Sequence, residues 1–191
     1  LITKIKFHKS SIFLTLVCLS MFSFLQSCGK KKINNLNKTS NKEINTTLIE
    51  LDIDKTIEEA YKVWYVKKGN SPNFSNYKDY YTTTAIFQDF KKDTVIVSQL
   101  SEEVKEFKEA FKAENIFSFD EREVDSETTI FGEVANRVSY HIYHTNSNDS
   151  ITKRGVNSIQ LVKIKGKWKI QSILRQVESE SYQLPKKYNK Q

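Results

Sequence analysis

An α+β domain is predicted by three features of this 191-residue sequence. Apolar residues recur at three-and-four spacing up to about residue 112. The period then switches to two. The helical segments therefore precede the long strands, which separates the layers instead of alternating them.

The elements follow in order. Residues 54–68, DKTIEEAYKVWYVKK, place Ile57, Ala60, Tyr61, Trp64 and Tyr65 on one helical face. Thr56 and Glu59 have the spacing of a capping box, and Gly69 with Asn70-Ser71-Pro72 reads as the stop and a turn. A short second helix is expected from Phe74 to about Tyr81, with Phe74, Tyr77, Tyr80 and Tyr81 sharing a face. Ala85–Phe90 alternates as a strand, Lys91-Lys92-Asp93 turns, and Thr94–Val97 returns. Ser98–Lys112 is a third helix with Leu100, Val104, Phe107, Ala110 and Phe111 inward. Four strands are then expected over about 116–125, 128–145, 151–164 and 167–176, forming a long antiparallel sheet. The breaks are Asp125-Ser126, Asn146 to Ser150, and Lys165-Gly166, and a bend is expected near Gly132.

The segments ahead of this domain differ in character. Lys4, Lys6 and Lys9 precede an uncharged run, Ser11–Leu25, which has the layout of a secretory signal. That run is shorter than the roughly 20 residues of a membrane-spanning helix. Leu25-Gln26-Ser27-Cys28 resembles the bacterial lipobox, with Gln26 a less usual occupant. This implies cleavage before Cys28, lipidation of Cys28, and a protein held in the cell envelope by a membrane lipid. Cys18 would leave with the signal, so the mature chain would hold one cysteine and no internal disulfide. Residues 29–50 are rich in Asn, Lys and Thr and lack aromatics, the composition of a flexible tether. Lys30, Lys31 and Lys32 would lie beside lipid headgroups. The expected organisation is a signal peptide over 1–27, lipidated cysteine and tether over 28–50, one domain over 51–180 and a basic tail over 181–191.

Charge argues against a nucleic-acid partner. The formal net charge is +7, but residues 51–180 hold 19 Lys and Arg against 21 Asp and Glu. The excess sits in the signal, the tether and the tail. A near-neutral domain offers little phosphate-neutralising charge. Lys163, Lys165, Lys167 and Lys169 surround Gly166 and read as a solvated hairpin tip.

Several pieces carry a resemblance: the helix with Tyr61 and Trp64, YYTTTAIFQDF at 80–90, GEVANRVSYHIY at 132–143, and KGKWKIQSILR at 165–175. Their order and spacing over roughly 52–180 resemble the nuclear transport factor 2-like superfamily, which includes SnoaL-like polyketide cyclases and ketosteroid isomerase. The resemblance implies a cone: a curved antiparallel sheet around a pocket closed by three helices from the N-terminal side. The pocket residues it implies are Trp64, Tyr80, Tyr81, Phe87, Phe107, Tyr140, His144, Gln160 and Trp168. Aromatic walls with a few polar groups suit a small apolar ligand.

Strand parity puts Val138, Tyr140, Ile142 and His144 on one face and Arg137, Ser139, His141 and Tyr143 on the other. The first set is the more apolar and is expected to face the pocket. The two histidines then point opposite ways, and no metal-ligand spacing appears. Many members of the superfamily carry acids just before the Ala-x-Phe of the first strand. Here those positions are Thr82-Thr83-Thr84, which cannot act as bases. Asp89 is a lone inward acid, and His144 could titrate near working pH, so these two are the weak catalytic candidates. No phosphate cradle, nucleophile elbow or other cofactor motif is present. The expectation is a lipid-anchored domain that binds a small apolar ligand or an envelope protein without catalysis, with a homodimer left open. The alternative is an isomerase, cyclase or hydratase acting on a hydrophobic small molecule. A buried Asp89 beside an open cavity would favour the enzyme; a filled cone would favour a protein-binding or structural role.

Overall fold

The order read from the sequence, α-α-β-β-α-β-β-β-β, is the observed one. The computed structural model describes residues 31–91, 93–113, 116–146 and 153–188, with side chains from residue 46 onward. The signal sequence and Cys28 lie outside the described residues. The elements are α1 (Lys31–Trp64), α2 (Tyr77–Tyr80), β1 (Tyr81–Lys91), β2 (Thr94–Gln99), α3 (Leu100–Ala113), β3 (Phe119–Phe131), β4 (Val134–Thr145), β5 (Lys153–Ile164) and β6 (Lys167–Val177), with a final 3-10 turn at Lys186–Tyr188. Lys42–Gln191 forms one compact unit.

The first helix starts well before residue 54. Ile53 and Ile57 are fully buried and Ile49 packs partly against the same core, so an i, i+4 stripe continues upstream into residues expected to belong to the tether. Thr56 is consequently not a cap. Its hydroxyl donates to the Asp52 carbonyl at 2.8 Å, a bond made inside a continuing helix. The helix stops at Trp64, and Val66 then exchanges backbone hydrogen bonds with Phe119.

One curved sheet holds all six strands in the order β2-β1-β6-β5-β4-β3. Four neighbour pairs are antiparallel, but β1 and β6 run parallel. The four long strands are antiparallel as expected, and the parallel β1–β6 pair is the one departure. The chain leaves β1 through β2 and α3 and builds β3 to β6 as a meander, so the last strand arrives beside the first in the same direction. The break expected at Asp125-Ser126 is a register shift inside β3, and the hairpin turns instead at Gly132 and Glu133, with Gly132 at φ 61°. A second turn places Lys165 and Gly166 both at positive φ, the geometry of a tight hairpin.

Register shifts also occur in β1 between Tyr81 and Ile86 and in β5–β6 between Gln160 and Leu161. Such bulges bend a sheet. On the concave side lie Ile53, Ile57, Ala60 and Trp64 from α1, Tyr81, Ala85 and Phe87 from β1, and Ile159, Leu161, Trp168, Ile170 and Ile173 from β5 and β6. The C-terminal segment adds a contact that the basic tail did not suggest: Tyr188 is buried and stacks on Tyr140 with ring centroids 3.6 Å apart.

Candidate functional site in the cone

The concave face leaves a cavity of about 80 Å³. Ile57, Ala60, Tyr61 and Trp64 line it from α1, Tyr81 and Phe87 from β1, and Glu103 and Phe107 from α3. β3 contributes Phe119 and Glu121, β5 Asn157 and Ile159, and β6 Ile170, Ile173 and Arg175. The aromatic wall is built edge to face: Trp64 meets Phe74, Phe87 and Phe107 at 5.1–5.8 Å between centroids. The indole Nε1–H donates to the Tyr81 hydroxyl at 2.9 Å, and that hydroxyl donates on to the Ala60 carbonyl at 3.4 Å.

Polar groups gather at one end. The Tyr61 hydroxyl lies 2.8 Å from the Ser139 hydroxyl, and Asn157 Nδ2 donates to Tyr61 at 3.0 Å and to Glu121 Oε1 at 3.5 Å. His141 Nε2 is 3.6 Å from the same Glu121 oxygen. Arg175 is held by Asp89 through two hydrogen bonds of 2.7 and 3.0 Å and by Glu103 at 2.7 Å. Burial pushes the Glu121 carboxyl up to about 7, although the positive charge of Arg175 pulls the other way. Burial, helped by Arg175, pushes His141 down to about 4, so its imidazole is neutral near pH 7. Burial also raises the Tyr61 hydroxyl well above its ordinary value. Among the described residues His141 Nδ1 and Asn157 Oδ1 have no hydrogen-bond partner.

Trp64, Tyr81, Phe87 and Phe107 line this cavity. Tyr80 and Trp168 instead border a shallow groove with Asp52, Thr56 and Glu59 at the hairpin end of the sheet. Tyr140, His144 and Gln160 are corrections. The helix-facing set on β4 is Ala135, Arg137, Ser139 and His141, so Tyr140 and His144 project from the opposite, convex face, where Tyr140 meets Tyr188. Gln160 is exposed on that face and accepts a bond from Ser172. The reason is chemical pairing. Arg137 bonds Glu123, Asp54 and Thr128, Ser139 bonds Tyr61, and His141 sits by Glu121, so polar side chains are buried where each has a partner. Asp89 does face inward, but Arg175 neutralises it, and it borders an outer groove of about 480 Å³ with Phe111, Tyr143 and His141.

Glu121 went unrecognised in the sequence. FDEREVD carries acids on both strand faces and reads locally as solvated. The available signal was parity with Phe119, a core aromatic two residues earlier. Glu121 lines the cavity and also two outer grooves, which meet at this residue. Among the described residues no group of three His, Cys, Asp or Glu is placed to hold a metal ion.

No family model matches the chain, and no curated protein matches it. Solved structures do. A protein of unknown function with a cystatin-like fold from Nostoc punctiforme superposes with a TM-score of 0.55 at 14% identity, over 70% of this chain and 93% of that one. A protein from Kribbella flavida gives 0.50 at 12% identity, over 72% and 93%. An NTF-2 like protein of unknown function from Silicibacter pomeroyi gives 0.45 at 11% identity, over 70% and 98%. At these identities the likeness is one of fold. The fold is α+β with one curved six-stranded sheet, as in the cystatin-like protein from Nostoc punctiforme.

Proposed function

We propose that this chain is an envelope lipoprotein, anchored through Cys28, whose cone binds a small ligand with an apolar body and one polar group, without transforming it. One observation carries the binding reading. Glu121, only 17% exposed, stands in an aromatic-lined cavity where, among the described residues, no Lys or Arg pairs with it, the nearby His141 is neutral, Arg175 acts from beyond ion-pair distance, and Asn157 reaches it at 3.5 Å. A carboxyl so placed is costly to the fold. Such costs concentrate at functional sites. Asp89 and Glu103 do not compete for this role, because each is already in an ion pair with Arg175.

A second reading keeps one specific observation. A carboxyl that titrates near 7 is suited to general acid–base catalysis, which favours an isomerase, cyclase or hydratase. The two readings separate in one experiment. The full chain is purified from its native membrane, and any bound small molecule is identified by native mass spectrometry. Ala60→Leu, which fills the cavity, is purified in parallel. The binding reading expects a molecule that the variant lacks and that takes up no deuterium at carbon when returned to the protein in heavy water. Deuterium uptake would support the enzyme. Equal recovery from both forms, or no molecule with a co-purifying envelope protein instead, would end the cavity reading. Cys28→Ser is expected to abolish acyl labelling and processing; an acylated, processed variant would end the anchor reading.

A further inference from the structure

Most of the cavity's hydrogen-bonding donors are committed. Trp64 Nε1–H goes to Tyr81, the Tyr81 hydroxyl to Ala60, and the Arg175 guanidinium to Asp89 and Glu103. The Asn157 amide hydrogens go to Tyr61 and Glu121, and the Tyr61 hydroxyl pairs with Ser139. Beyond the Arg175 N–H groups that these bonds leave over, what remains is acceptors. Among the described residues Asn157 Oδ1, on a side chain 3% exposed, has no partner, and the Glu121 carboxylate has no Lys or Arg in ion-pair contact, its neighbour His141 being neutral. The charges around them sum to a negative site, because one guanidinium faces both Asp89 and Glu103 before Glu121 is counted. The surrounding rings of Tyr61, Trp64, Tyr81, Phe87, Phe107 and Phe119 present faces and edges that suit a cation and its alkyl groups.

Resting on the binding reading above, we infer that the cone's ligand is a small organic cation, an alkylammonium whose N–H groups are received by Glu121 and Asn157 while its carbon chain lies among the aromatic rings. The size follows from the space. With one water needing about 10–15 Å³, a cavity of about 80 Å³ holds roughly five to eight water-sized groups. A longer molecule extends past Glu121 into the groove edged by Phe111 and Tyr143.

Proton competition follows. The groups facing Glu121 are Tyr61 from α1, Tyr81 from β1, Glu103 from α3, Asn157 from β5, His141 from β4 and Arg175 from β6. Glu123, on its own strand, is taken by Arg137. Tyr61 and Tyr81 stay protonated and His141 stays neutral across the range in which Glu121 titrates, so Glu121 is the group that switches. Cation binding therefore weakens as pH falls through about 7.

The test compares n-butylammonium, 1-butanol and butyrate, which have the same number of heavy atoms to within one and differ in charge. Each is titrated into the full chain in detergent micelles, with isotope-labelled isoleucine methyls at Ile57, Ile159, Ile170 and Ile173 reporting on the cavity. At about pH 8 butylammonium is expected to bind about tenfold or more tighter than 1-butanol, the size of a hydrogen bond to a charged group. The preference should shrink towards pH 5.5 in the parent chain and vanish in Glu121→Gln, with 1-butanol binding little changed. If 1-butanol or butyrate binds as tightly as butylammonium at the higher pH, the cation inference is overturned and the cavity reading stands. If none of the three moves the isoleucine methyls, both fail.

Discussion

Glu121→Gln should stabilise the fold by an amount that grows as pH rises from 4.5 to about 7 and is full above that. The carboxyl goes from an ordinary value of 4.5 to about 7 because burial disfavours its charged form. The folded state thus holds its proton more tightly than the unfolded chain does. Between pH 4.5 and 7 the native state keeps a proton that the unfolded state has lost, so stability falls as pH rises through this window. At about 1.4 kcal/mol per pH unit the full effect is about 3 kcal/mol, trimmed to about 2–3 because 17% of the side chain still meets water. Glutamine keeps the shape and removes the ionisation. Urea melts of parent and variant at a series of pH values measure the difference directly. The two should agree near pH 4.5, and the variant should gain about 2–3 kcal/mol by about pH 8. A difference that stays flat with pH, or a variant weaker than the parent at pH 8, would falsify the placement of Glu121 as a buried, unneutralised acid.

His141 should show the opposite slope: its neutral form is favoured by burial, so stability falls as pH drops from 6.5 towards 4. His141→Gln should flatten that acid limb in urea melts, and an unchanged limb would count against it. Gly155→Ala should lose about 1–3 kcal/mol, because an added Cβ would lie 2.6 Å from the Gln176 carbonyl oxygen and 2.9 Å from His141 Cε1; a melt identical to the parent's would show that the two strands have room there. Trp168→Ala should cost about 3–5 kcal/mol, the side chain being only 3% exposed. Lys169→Ala, which gives up one exposed bond to the Lys78 carbonyl, should cost far less, and the reverse order in thermal melts would mean that β6 faces the other way.

The order of elements was legible because periodicity is local. Trp64, Phe87 and Phe107 could be named from the sequence since each sits on an apolar stripe that its own helix or strand displays. Element ends were less so: α1 was read from residue 54 because Asn45, Thr46 and Thr47 precede Ile49 and acids flank Ile53, yet those isoleucines continue the buried stripe. Facing was hidden where the partners are distant. Counting apolar residues on β4 turned Tyr140 inward, but Ser139 is buried by Tyr61, 78 positions away, and Arg137 by Asp54, 83 positions away. In β6 Trp168 and Ile170 face the helices as their alternation says. The register shift between them and Ser172 then brings Ile173 and Arg175 inward in place of Ser172 and Leu174. The same limit hid Glu121. A strand's alternation says which residues share a face, whereas the burial of a charge is set by whether distant chain segments bring it a counter-ion. Arg175 was brought to Asp89 and Glu103, and Glu121 was left as the unneutralised acid of the cone.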